Sequence, residues 1–179
     1  MIVRVTADCP LVSPEIVEAL LKAHFAQGAD YTEPREFAVG TNADIFNVEG
    51  LKRIIHYIGE GHDTAYMGWF MKNNPHLFKS QVVDLPANLV RNYRLTLDYQ
   101  EDLDMLNALY RKLAEQKLKI NLANVYSILD KDPELVAINK DRTLVYKTDH
   151  DLIARLNKLT KIDINNVGQK GNPARIVIP

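Results

Sequence analysis

Cysteine is nearly absent from this 179-residue chain: Cys9 stands alone. No internal disulfide can form, and a lone thiol fits a reducing, cytoplasmic setting. Zinc is disfavoured too, because the histidines at 24, 56, 62, 76 and 150 show neither a His-Glu-x-x-His pattern nor a cysteine partner at zinc spacing. No apolar run approaches the length that spans a bilayer, and Met1-Ile-Val-Arg4 is too short and wrongly flanked for a signal peptide. The expectation is an unprocessed chain with no membrane partner. The net charge is only −1, with both signs interspersed, so no field draws the chain to nucleic acid or anionic lipid. There is no Gly-x-Ser-x-Gly elbow around Ser13, Ser80 or Ser127 and no repeat of solenoid length. The glycines near the C-terminus lack the spacing of a phosphate loop.

What the chain does have is a strand-to-helix unit at its start. Residues 2–6 alternate β-branched residues with Arg4 and read as a buried strand, which Pro10 bars from continuing. Ser13-Pro14-Glu15 then supplies a capping hydroxyl with proline at the first helical position, and Gly28 closes the helix. Asp8 lies between strand and helix. Ligands of open α/β sheets bind outside the carboxyl ends of strands, so this acid is the first candidate for chemistry.

The layout returns at residues 93–103, where an apolar strand ends on Asp98 and Glu101-Asp102 lead into a helix. Two strand-end carboxylates can converge on one Mg²⁺, which usually takes one or two protein carboxylates and completes its octahedron with water and substrate phosphate. Either acid alone is as readily a helix cap or an Asx turn. Cys9 reads more simply as a small buried neighbour than as a nucleophile, since nothing basic stands beside it in sequence. Arg91 and Arg94 flank the approach to Asp98 and could grip a sugar carboxylate or a phosphate, although solvated strand arginines are commoner.

Thr6-Ala-Asp8-Cys-Pro-Leu11, Gly28-Ala-Asp-Tyr31, Asn73-Asn-Pro75 and Arg94-Leu-Thr-Leu-Asp98-Tyr-Gln-Glu-Asp-Leu103, in that order, resemble the cytidylyltransferases that activate acidic sugars, in the branch with spore coat polysaccharide biosynthesis proteins. The resemblance runs from the N-terminus to about Tyr110. It implies an α/β, nucleotide-diphospho-sugar transferase-like (Rossmann-like) mixed sheet with flanking helices. It also implies transfer of CMP from CTP to an acidic sugar, a Mg²⁺ cofactor held by Asp8 and Asp98, and a homodimer. That family carries an Arg- and Gly-containing phosphate loop ahead of these motifs. None is present here, so the expectation is the C-terminal part of the fold only, an incomplete catalytic unit with weak nucleotide binding on its own. Two further departures are Asn42 and Asp44, where the branch often has Asp and Glu, and Thr64-Ala-Tyr66, where an Arg-Glu-His group is common.

Elsewhere the periodicity predicts strands near residues 37–39, 44–46 and 81–84, with a turn at Glu33-Pro34-Arg35. Helices are predicted from Val48 to about Gly59, over 63–73, over 122–129 ending at Asp132-Pro133, and from Asp149 or Asp151. Asp44 reads as a third site acid or as a solvent-facing acid on an edge strand. The helix with Tyr66, Met67, Trp69, Phe70 and Met71 is apolar almost all round, as at an interface or in an ordinary core. Residues 1–160 are expected to form a partial nucleotidyltransferase domain and 161–179 a flexible tail, with 175–178 as a candidate strand. Two other functions fit: a non-catalytic assembly partner, and a nucleotide-sugar-dependent glycosyltransferase. The second would usually place an Asp-x-Asp pair at one strand end, which Asp8 lacks.

Overall fold

In the computed structural model, which describes residues 1–164, one mixed sheet carries helices on both faces. Its strands are β1 (Ile2–Arg4), β2 (Tyr31–Pro34), β3 (Asp44–Phe46) and β4 (Ser80–Val83), in the order β1-β3-β2-β4. β3 runs antiparallel to both β1 and β2, and β2 runs parallel to β4. The helices are α1 (Pro14–Gln27), α2 (Val48–Ile58), α3 (Met67–Asn73), α4 (Gln100–Glu115), α5 (Leu122–Leu129), α6 (Pro133–Ala137), α7 (Val145–Thr148) and α8 (His150–Leu159). The mixed α/β class expected from the sequence is the one observed.

Local chemistry sets the helix ends. The Ser13 hydroxyl accepts from the Ile16 amide, and Gly28 ends α1 in the left-handed region at φ 58°, as the sequence predicted. Asn47, Asn121 and Asp149 cap α2, α5 and α8 in the same way. Strand alternation then divides the core. Ile45 points to one face, where Ile16 and Leu20 of α1 meet Met105, Leu109 and Leu113 of α4 and Val125 of α5. Phe46 points to the other, where it joins Tyr31, Ile54, Phe70, Met71, Phe78 and Ile162.

Several expectations need correction. β1 is an exposed edge strand, not a buried one: Ile2 and Val3 are 41% and 39% exposed, because only β3 flanks it among the described residues. The Glu33-Pro34 turn is the end of β2, where Pro34 pairs with Val83 and needs no amide of its own for a further ladder bond. Asp44 lies on an internal strand rather than an edge. The strands expected at 37–39 and 93–97 reduce to one parallel bridge between Val39 and Arg94. Gly40 explains why the pairing stops there. It has φ 92°, and a Cβ on it would lie 2.4 Å from the Leu95 carbonyl oxygen, so the two segments cross at close range instead of running on as a ladder. α5 ends at Leu129, before Asp132-Pro133, which instead starts α6, with the Asp132 carboxylate accepting from the Leu135 amide. The candidate strand at 175–178 lies outside the described residues.

Candidate active site

A cleft of about 610 Å³ opens beside β1, between the sheet and the segment leading into α4. Asp8 and Cys9 reach it from the turn after β1, Gly40 and Asn42 from the β2–β3 connection, and Thr96, Asp98 and Tyr99 from the extended segment before α4. The two acids singled out in the sequence therefore share one cavity. Main-chain geometry fixes their approach: the Leu97 amide donates to the Asp8 carbonyl at 2.8 Å, and the Thr96 hydroxyl lies 3.1 Å from the same carbonyl and 3.4 Å from Asp8 Oδ2.

Behind Asp98 lies a buried ion pair. Arg94 donates through Nε and Nη2 to the two oxygens of Asp102, at 2.8 and 2.9 Å. The same Nη2 reaches Asp98 Oδ2 at 2.6 Å. Asp102 also accepts from the amides of Asp98 and Tyr99 and from the Asn139 side chain. Burial alone would push the Asp102 carboxyl up, but Arg94, the two amides and Asn139 outweigh it and hold it below the usual carboxylate range. Asn139 ties in the turn before α7, from which Thr143 and Leu144 line the cleft. Tyr99 is flanked by the guanidinium groups of Arg94 and Arg142, 5.2 and 5.4 Å from its ring centre.

The sheet supplies the opposite wall. Arg4 and Asp44 face each other across the β1–β3 pair and form an ion pair at 2.9 Å. The Tyr31 hydroxyl lies 3.0 Å from both Asp44 and Glu33, and Lys72 of α3 pairs with Glu33 at 3.1 Å. Burial, with these two carboxylates beside it, keeps the Tyr31 phenol protonated far above its ordinary range. Sequence reading gave neither Tyr31 nor Glu33 a role in the site, because Glu33-Pro34, the end of β2, was taken for a turn. As a strand, its residues 31 and 33 fall on one face, and that period was the available signal.

Arg94 and Arg91 part company. Arg94 is a buried brace beside Asp98 and does not line the cleft. Arg91 points elsewhere and holds Asp130 with Nε and Nη2, both at 3.1 Å. Cys9 is half-buried, and its thiol is pushed up, first by burial and further by Asp8. That fits the small-neighbour reading better than a nucleophile.

The cleft's donor set suits one kind of ion. Among the described residues no group of three or more His, Cys, Asp or Glu is arranged to hold a metal, so an all-protein cage is not on offer. Two hard carboxylates at the edge of an open cleft match what Mg²⁺ takes from a protein when phosphate and water complete its shell.

Comparison with known proteins follows the same direction. No protein-family model matches the chain. It is 29% identical over 136 residues to the spore coat polysaccharide biosynthesis protein SpsF of Bacillus subtilis, covering 75% of this chain and 56% of that protein. It is 25% identical over 142 residues to the uncharacterized protein MJ1063 of Methanocaldococcus jannaschii, covering 79% and 58%. A cytidylyltransferase structure from Leptospira borgpetersenii superposes with a TM-score of 0.62 at 22% identity, over 79% of this chain and 59% of that one. The chain thus spans somewhat over half the length of the relatives it matches. The sequence similarity to SpsF, with a fold shared with a cytidylyltransferase, bears out the resemblance read from the motifs.

Proposed function

We propose that this chain forms part of a Mg²⁺-dependent cytidylyltransferase that transfers CMP from CTP to an acidic sugar for surface polysaccharide or glycan synthesis. One observation carries the reading: Asp8 and Asp98, 90 positions apart, line the same cleft and are tied by the Leu97-to-Asp8 main-chain bond. Because the chain spans 56–59% of the length of these relatives, the activity is proposed for a catalytic unit of their full extent. The unit is proposed to be a cytoplasmic homodimer, and sedimentation at monomer mass over a wide concentration range would remove the dimer from it.

Asp8 and Asp98 would hold the metal. When bound, Mg²⁺ orients the triphosphate and offsets charge on the phosphoryl oxygens as pyrophosphate leaves. The protein's own part is positioning. Thr96 and the Leu97 amide fix Asp8, and Arg94 fixes Asp98. Trp69 and Tyr66 give the cleft an apolar margin suited to a sugar ring, while Lys72 and Arg4 are the cations within reach of its carboxylate. Both cations are already paired, with Glu33 and Asp44, so an anionic sugar would compete with those acids and bind with modest affinity.

The test is pyrophosphate release from CTP with a panel of 2-keto sugar acids, using the verified full-length gene product. Release that falls at least about a hundredfold in Asp8→Asn and in Asp98→Asn is expected. Absence of release with every sugar acid, or release untouched by both substitutions, would reject the assignment.

A further inference from the structure

The Arg94–Asp102 pair poses a problem for any cation site at Asp98. A guanidinium 2.6 Å from a carboxylate ordinarily cancels the charge that would attract a metal. Here the guanidinium is not a free cation. Asp102 is fully buried and Arg94 nearly so, and the two are joined by two short bonds. The remaining acceptor capacity of Asp102 is filled by two amides and Asn139. The nearby Arg142 is likewise matched, by Glu101. Asp98 is the only member of the Arg94–Asp102–Asp98 trio that faces the cleft.

We infer that Asp102 and Arg94 form a buried, charge-neutral brace that orients Asp98 while leaving its negative charge available to a divalent cation. Asp102 is then a positioning residue that acts through Arg94, and its charge, not only its hydrogen bonds, is required. The inference rests on the metal reading above. Without the negative charge on Asp102, Arg94 becomes a net cation beside the site and repels the metal. With both charges removed, Asp98 loses an orienting bond but no longer has a net cation beside it.

The experiment is titration of the chain with Mn²⁺ alone, free ion being read by electron paramagnetic resonance, with thermal unfolding of each variant in parallel. Asp102→Asn is expected to weaken Mn²⁺ binding about tenfold or more. The neutral pair Arg94→Gln/Asp102→Asn is expected to recover to within about threefold of wild type. A purely structural role predicts that the double variant binds no better than the single. That result, or wild-type affinity in Asp102→Asn, overturns the inference while loss of binding in Asp98→Asn preserves the metal reading. No Mn²⁺ binding in the wild type, or undiminished binding in Asp98→Asn, overturns the metal reading and the inference together. If Asp102→Asn fails to fold, the double variant decides: affinity within about threefold of wild type supports the brace, and anything weaker overturns it.

Discussion

His24 illustrates what one side chain contributes and at what pH. It is 4% exposed in the last turn of α1, with Nδ1 2.9 Å from the Thr32 hydroxyl, and burial depresses its pKa below the ordinary histidine value. The folded chain therefore binds fewer protons at this site than the unfolded chain between the depressed and the ordinary pKa. Stability should be full above the ordinary value and decline as pH falls through it toward the depressed one. Thermal unfolding between pH 8 and pH 5 should show this decline, and His24→Gln should flatten it. At the same scale the sequence was informative about identity and silent about pairing. Asp8 and Asp98 stood out by position, but nothing local distinguished Arg94, which is buried on Asp102, from Arg91, which grips Asp130 on the surface. The available clue was Asp102 in the first turn of α4, where a carboxylate has two amides to accept from before any arginine is considered.

Among the elements, α1 was the most legible, because its cap, first-turn proline and closing glycine are all local signals. Removing one should carry the usual penalty: Ser13→Ala leaves the Ile16 amide without its partner and is expected to cost about 1 kcal/mol in denaturant unfolding. The segment before α4 was the least legible. Its apolar pattern is that of a strand, but pairing depends on what runs alongside, and Gly40 crosses it at one point only. Gly40→Ala would put a methyl group onto the Leu95 carbonyl at an unfavourable φ. It should cost about 2–3 kcal/mol and loosen the segment that carries Asp98, which denaturant unfolding and amide exchange at Leu95 and Leu97 can follow. Part of the aromatic breadth of α3 is used within the chain. Phe70 and Met71 are buried in the core, and the Trp69 indole donates to Asn157 of α8.

For the molecule as a whole, the architecture follows from a short mixed sheet with a core on each face, and the cleft follows from where β1 stops and the α4 approach crosses Gly40. Strand-to-helix units were readable from local patterns, and the mixed α/β sheet was what the family resemblance implied. The exposure of β1 was not, because edge or centre is decided by neighbours and not by the strand's own residues. Of the site's sheet wall of Arg4, Tyr31, Glu33, Asp44 and Lys72 only Asp44 was singled out from sequence, since the wall assembles from three strands and a helix.

Asp8 and Asp98 are proposed to grip one ion across the cleft they share. Crystals of the chain grown with Mn²⁺ and measured at a wavelength where manganese scatters anomalously test this most directly. A single anomalous peak bonded to one oxygen from each carboxylate is the predicted result. No peak there, or a peak on one acid with the other turned away, would contradict it.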